Sequence, residues 1–242
     1  MNYLNELNAY DKFCKTYFEK SESISFLKEK TKIIRVFQML ELFNIIYDYF
    51  YNSKTVVCEL ALICKGIVLQ LLCSIPVGDE VFTSACSRQL SEKLLDLVYV
   101  TIVDDATTTK KITKIRYRSL WQDGIKSDGA KYDELSRFKG KNDIQDLKEV
   151  LDQINNIFKS ESDVLHLKKK ELSINYLEQI IKNGAEFNKK KLRSNINIFS
   201  RFIIDYLPRL LDMKYEDMTM AQKKDYICLV KFLKPKAYKM HA

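Results

Sequence analysis

Glycine and proline are scarce in this chain, with six Gly and three Pro among 242 residues. Typical proteins contain ~7% Gly and ~5% Pro. A β-sandwich or barrel needs a turn every ~8–12 residues, and many of those turns require these two residues. Hydrophobic residues make up 46% of the chain, which is enough for a large core. The composition therefore predicts an all-α protein with a helical bundle core and additional C-terminal helices.

Histidine is also rare, and the familiar cofactor motifs are missing. The chain has two His, and its six Cys include no C-x-x-C pair, so the ligand spacing of a zinc site is absent. The two glycine-rich phosphate-binding motifs, G-x-x-x-x-G-K-[ST] and G-x-G-x-x-G, are both absent. The G-x-S-x-G motif of hydrolases is absent as well. The sequence therefore predicts no metal and no cofactor. The cysteines lie mostly at apolar helical positions and are interpreted as reduced thiols of a cytoplasmic protein.

The N-terminus shows no apolar segment of the kind found in a secretory signal peptide. The most apolar stretch, residues 56–77, contains Glu59, Lys65 and Gln70, and its uninterrupted part is too short to cross ~30 Å of hydrocarbon as a helix. We interpret this stretch as a core helix. We therefore expect a cytoplasmic location and no membrane partner.

Apolar periodicity and turn residues predict where the helices begin and end. Pro76 and Gly78 indicate a turn, and Asp79 is the expected N-cap of the next helix, which is expected to bury Phe82. Residues 160–162 are expected to form a polar step, and loops are expected at 104–111 and 124–142. The predicted organisation is N-terminal helices (1–52), a bundle (53–185) and basic C-terminal helices (186–242), forming one compact unit. The predicted helices cover about 3–20, 33–51, 55–74, 80–103, 112–125, 143–158, 172–182, 188–211 and 219–233.

The net charge of +8 lies entirely in the last third of the chain. Residues 1–158 contain equal numbers of basic and acidic side chains, whereas residues 159–242 contain 18 basic and 10 acidic ones. Such a basic surface either attracts RNA or DNA or simply keeps the protein in solution. The candidate nucleic-acid-binding residues are Lys168, Lys169, Lys170, Lys189, Lys190, Lys191 and Arg193.

His166 is the one interior histidine and the first candidate catalytic residue. An imidazole has an unperturbed pKa of ~6.5, which suits proton transfer near neutral pH. If the segment is helical, Ser162 and Asp163 lie one turn before His166, where Asp163 can orient the ring. The alternative is an ordinary histidine at the surface or at the edge of the core.

Arg88 is the second candidate, with Glu92 one helical turn later. Their i,i+4 spacing allows a surface ion pair, which typically contributes ~0.3–0.5 kcal/mol. The functional alternative is that the planar guanidinium of Arg88 clamps a phosphate.

Two segments resemble the HEPN superfamily of helical proteins, which is common in bacterial toxin, abortive-infection and phage-defence systems. They are the turn and helix at 76–79 (PVGD) and 87–99 (SRQLSEKLLDLVY), and the helix end at 157–166 (IFKSESDVLH). The resemblance implies a metal-independent ribonuclease, assembled as a homodimer, in which His166 transfers a proton and an arginine stabilises the phosphate.

The chain departs from the HEPN motif, which places an Arg four to six residues before the His. Here those positions hold no Arg, so Arg88 would have to supply the charge from a neighbouring helix. Two alternatives therefore remain open. One is a non-catalytic protein that binds a protein partner, such as an antitoxin, inhibitor or accessory subunit. The other is a plain nucleic-acid-binding protein.

Overall fold

The fold is all-α, as the composition predicts. The computed structural model describes residues 3–18, 30–103, 141–165 and 189–231, and every regular element within them is a helix. A π-helical turn, Phe202–Tyr206, joins the helix Lys189–Arg201 to the helix Leu207–Leu210. The helices are α1 (Tyr3–Phe18), α2 (Lys30–Phe50), α3 (Thr55–Val77), α4 (Glu80–Val103), α5 (Lys141–Leu165), α6 (Lys189–Arg201), α7 (Leu207–Leu210) and α8 (Met220–Lys231).

Some of the predicted elements lie outside the described residues. They are the helices at 112–125 and 172–182, the loop at 104–111 and nearly all of the loop at 124–142. These elements stay predictions.

Helices α2 to α5 pack against one another in chain order and form the bundle. Helix α1 packs on α2 and α3, whereas α6 contacts α2, α4 and α5. Helix α8 lies against α2. The additional C-terminal helices therefore pack directly on the bundle.

One hydrophobic cluster contains buried residues from α2 through α8. Phe43 of α2, Phe199 of α6 and Phe202 of the π turn are among its largest fully buried side chains. The C-terminal helices thus contribute aromatic side chains to the same core as the bundle. The three-part division of the chain stays a prediction.

The junction between α3 and α4 forms much as the sequence predicts. Asp79 Oδ1 accepts hydrogen bonds from the backbone N–H groups of Val81 (2.7 Å) and Phe82 (3.2 Å) and so caps α4. Gly78 closes α3 with a φ of 71°, a left-handed conformation that glycine adopts without steric penalty. Phe82, predicted on the buried stripe of α4, is instead 38% exposed, because it lies in the first turn at the edge of the bundle.

Pro76 lies inside the last turn of α3, not in the turn that the sequence predicts there. Proline has no N–H, so it leaves the carbonyl four residues earlier, that of Leu72, without its helical donor. The Tyr10 hydroxyl of α1 donates a hydrogen bond to this same carbonyl oxygen at 2.6 Å. A side chain from another helix therefore supplies the hydrogen-bond donor that Pro76 lacks, and α3 continues to Val77.

The polar step predicted at residues 160–162 is wrong, because α5 runs through them without a break. The Ser160 hydroxyl donates to the carbonyl of Ile157 (3.1 Å), and that of Ser162 donates to the carbonyl of Phe158 (2.7 Å). The two serines thus satisfy their hydroxyl groups within the helix. The glutamate between them is paired with α6, as described below.

The continuous helix predicted at 188–211 is interrupted by the π-helical turn. This turn ends just before Pro208, and the N–H of Leu207 donates to the carbonyl of Phe202, five residues earlier. Because Pro208 has no N–H, it cannot donate the regular backbone hydrogen bond of an α-helix. The wider π turn therefore lies next to a position where the α-helical bonding pattern is already interrupted. Asp212, with a φ of 57°, then ends the segment in a left-handed conformation.

Helix α3 is the one described helix that is long and apolar enough to cross a membrane by length and composition. Half of its most apolar window is buried inside the protein, and because core helices of soluble proteins also meet this criterion, the observation alone is a weak indication of a span. Its outward side exposes several large apolar side chains, namely Leu62, Ile63, Leu69 and Val77.

All six cysteines are free thiols. Burial raises the pKa of each of the four buried ones, that of Cys86 to about 11, because a thiolate is poorly solvated in the core. The buried cysteines are Cys14, Cys58, Cys64 and Cys86, and the exposed ones are Cys73 and Cys228.

Tyr10→Phe removes the hydrogen bond to Leu72 while keeping the ring. We expect the free energy of unfolding to fall by about 1–2 kcal/mol, because a partly buried carbonyl then loses its partner. We also expect faster hydrogen exchange in α1. Tyr17→Phe, on an exposed side chain of α1, is the matched control and should change neither quantity. Equal urea midpoints for the two variants would contradict the role assigned to Tyr10.

Candidate functional site

Two of the predicted site residues, 74 positions apart in the sequence, are in direct contact. Arg88 of α4 donates a hydrogen bond from Nε to the Ser162 hydroxyl oxygen of α5 at 3.0 Å. Helices α4 and α5 pack along much of their length, and this packing brings the two side chains together. The bond lies in the last turn of α5, which ends at Leu165.

The guanidinium of Arg88 is held at two points. Because the Ser162 O–H donates to the Phe158 carbonyl, its oxygen lone pairs remain to accept from Arg88. The guanidinium carbon also lies 4.9 Å from the centre of the Phe158 ring, which is a cation–π distance. This arrangement fixes the plane of the guanidinium.

Within the described residues, the outer edge of the Arg88 guanidinium makes one long ion-pair contact. Its Nη2 lies 3.9 Å from Glu92 Oε2, an ion pair too long for a hydrogen bond. The two side chains are 31% and 34% exposed, respectively. The predicted i,i+4 pair is therefore present, and both of its side chains remain accessible to solvent.

A second charge pair lies next to Glu92 on α4. Lys93 Nζ lies 2.6 Å from Asp96 Oδ2 and 3.9 Å from Glu92 Oε1. Asp96 is buried, which raises the pKa of its carboxyl group, and the nearby Lys93 ammonium partly offsets this rise.

Glu161 is a buried carboxylate that connects α5 to α6. It is 1% exposed, and its two oxygens accept hydrogen bonds from Lys191 Nζ (2.5 Å) and Asn195 Nδ2 (2.7 Å). Charge-assisted bonds of this kind are short and strong. They hold the start of α6 beside the end of α5, where Ser162 lies.

The four basic residues at the start of α6 differ in how far they are used in contacts within the fold. They are Lys189, Lys190, Lys191 and Arg193. Lys191, a predicted nucleic-acid contact, is 26% exposed and paired with Glu161. Lys189 and Arg193 are half-buried, whereas Lys190 is exposed. Of these four predicted contacts, Lys190 is therefore the most accessible to a ligand.

His166 and the basic residues Lys168, Lys169 and Lys170 lie outside the described part of the chain. Asp163 is half-buried in the last turn of α5. Ser162 and Asp163 both lie within α5, whereas the distance between Arg88 and the imidazole stays a prediction.

Several residues of this region were not predicted as site residues from the sequence. For one of them, Glu161, the sequence pattern does indicate a buried position. Glu161 falls one turn after Ile157 on the apolar stripe of α5. A carboxylate on such a stripe needs a buried partner. No comparable signal identifies Asn195. The residues not predicted are Phe158, Glu161, Asn195, Lys93 and Asp96.

Among the described residues, no group of three or more His, Cys, Asp or Glu side chains could hold a metal ion. The polar groups at the α4–α5 contact are instead a guanidinium, a hydroxyl and a carboxylate. A guanidinium with accessible N–H groups suits a phosphate oxygen, because its fork-like donors match that geometry.

Comparisons with family models, with curated proteins and with solved structures find no match to this chain. The resemblance to the HEPN superfamily therefore stays a prediction.

Glu161→Ala removes the acceptor for two side chains of α6. We expect the free energy of unfolding to fall by about 2–3 kcal/mol, because Asn195 is buried and loses its partner, while the partly exposed Lys191 can turn to solvent. Urea unfolding measures this loss. Glu149→Ala, at an exposed position of the same helix, is the matched control. Similar losses in the two variants would show that Glu161 does not connect the helices.

A double-mutant cycle tests the contact between Arg88 and Ser162. We expect Arg88→Ala and Ser162→Ala to show a coupling energy of about 0.5–1 kcal/mol in urea unfolding, since each removes the same hydrogen bond. Ser160→Ala is the control, because Ser160 makes the same kind of bond within α5. Its effect should add to that of Arg88→Ala. Additive effects for Ser162 as well would argue against the contact.

Proposed function

We propose that this chain is a HEPN-like, RNA-directed protein of a bacterial defence or toxin–antitoxin type system, and that it is a metal-independent endoribonuclease. The proposed catalytic residues are His166 and Arg88, assisted by Ser162, Asp163 and Glu92. We further propose that it acts in the cytoplasm as a homodimer.

The observation that carries this proposal is the hydrogen bond between Arg88 and Ser162. Ser162 precedes His166 by four residues, which is about one helical turn. The bond therefore supports the idea that the missing motif arginine is replaced by Arg88 from the neighbouring helix.

In the proposed reaction, His166 takes the proton from the attacking 2′-hydroxyl while water protonates the leaving 5′-oxygen, or His166 protonates the 5′-oxygen while water takes the 2′-hydroxyl proton. The 2′-oxygen bonds to phosphorus as the bond to the 5′-oxygen breaks, giving a cyclic phosphate and a free 5′-hydroxyl. The exposed edge of Arg88 stabilises the negative charge on the phosphate oxygens. Ser162 and Phe158 are positioning residues, because they hold the guanidinium and do not need to touch the RNA.

The basic residues would supply non-specific attraction to the RNA backbone. Lys190 is the best placed of the described ones, since it is exposed. Lys168, Lys169 and Lys170 follow His166 closely in sequence and are proposed to contribute as well. Such contacts weaken as salt concentration rises.

A non-catalytic role in binding a protein partner is the second candidate. Exposed apolar patches often mark protein interaction sites, and α3 and the start of α4 expose several large apolar side chains. Binding of nucleic acid without cleavage is a third candidate, and it rests on the basic residues alone. The exposed large apolar residues of α3 and the start of α4 are Leu62, Ile63, Leu69, Val77, Val81 and Phe82.

The test is RNA cleavage by purified protein in the presence of EDTA. We expect His166→Ala to lower the rate by at least about a hundredfold, because the proton transfer is lost. Arg88→Ala should lower it by about 10²–10³, since charge on the phosphate is no longer stabilised. Arg88→Lys should recover part of this loss.

His241→Ala is the matched control, because it removes the other histidine of the chain. Its rate should equal that of the unmodified protein. Intact RNA after prolonged incubation with folded protein would contradict the nuclease proposal. Equal rates for His166→Ala and the control would contradict the role of His166.

A further inference from the structure

A second group of cationic side chains lies between α2 and α6 and shares no residue with the Arg88 contact. Lys32 and Arg35 extend from the first two turns of α2. Both side chains are half-buried, and both reach Asn197 of α6.

The two cations converge on a single neutral oxygen. Lys32 Nζ donates to Asn197 Oδ1 at 2.5 Å, and Arg35 Nη1 donates to the same oxygen at 3.2 Å. The two nitrogens are therefore less than about 6 Å apart, well within the Debye length of ~8 Å at physiological salt. The oxygen that the two cations share belongs to a neutral amide.

A buried hydroxyl holds Arg35 at this point. Arg35 Nη1 also donates to the Ser200 hydroxyl oxygen at 3.3 Å, and Ser200 is 2% exposed. The Ser200 O–H itself donates to the backbone carbonyl of Asn197 at 3.1 Å. Within the described residues, no hydrogen bond uses the Nε and Nη2 atoms of Arg35, so these donors remain for a ligand that approaches from the open side.

Among the described residues, an acidic side chain of the π turn lies near this cluster. Asp205 lies near both Arg35 and Arg201, and Asp146 lies 3.9 Å from Arg201. Burial raises the pKa of the Asp205 carboxyl group. Asp205 belongs to the π-helical turn, a type of irregularity that often occurs at functional sites.

We propose that Lys32, Arg35 and Asn197 form a binding site for a phosphate group, with Ser200 holding Arg35 in place. A phosphate oxygen replaces Asn197 Oδ1 as the acceptor shared by the two cations. Rotation of the Asn197 amide then turns its NH₂ group toward the ligand as a further donor. Two cations and an amide match the several oxygens of a phosphate.

The probe is inorganic phosphate, titrated against the full chain at constant ionic strength and followed by isothermal calorimetry. We expect saturable binding that weakens at least about tenfold in Arg35→Gln, because a charge-assisted donor is lost. Lys224→Gln, at an exposed lysine of α8, is the matched control and should bind as the unmodified protein does. Lys32→Gln provides a second test if Arg35→Gln does not fold.

Absence of saturable binding by the unmodified protein would overturn the proposal. Equal weakening in Lys224→Gln and Arg35→Gln would also overturn it, since only general charge would then matter. If a short RNA displaces the phosphate, the natural ligand is a nucleic-acid backbone, and if it does not, the ligand is a small phosphate compound. Binding should persist in His166→Ala, so this test is independent of the ribonuclease proposal.

Discussion

The buried carboxylate of Glu161 is the interaction on which the geometry of the candidate site depends. An ionised group in a core needs partners for its oxygens, and Lys191 and Asn195 supply them from α6. These bonds hold α5 and α6 together at the end of α5. Ser162 follows Glu161 directly, so the same anchor fixes the residue that contacts Arg88.

Arg88 illustrates how one side chain can serve both structure and binding. Its inner nitrogen and its flat face are used by Ser162 and Phe158, which orient the group. Its outer nitrogen Nη2 makes the long contact to Glu92. A guanidinium whose orientation is already set loses little conformational entropy when it binds a ligand, which is the advantage of preorganisation.

The predictable part of this fold is the part that depends on local chemistry. The start of α4 was predicted correctly because Asp79 is a good N-cap. The break predicted at residues 160–162 was wrong, because the partners of Glu161 lie about 30 residues further along the chain. No local pattern reveals such a partner. The contact between Arg88 and Ser162 depends on helix packing in the same way, although both residues were chosen as candidates.

The bond from Tyr10 to the Leu72 carbonyl gives α1 a fixed register on the bundle. Regular helices offer few backbone acceptors along their sides, because each carbonyl is already paired. Pro76 opens one such acceptor on α3, at one position. Sliding α1 by a single turn would separate the phenol from this oxygen, so a proline that weakens one helix determines where another helix docks.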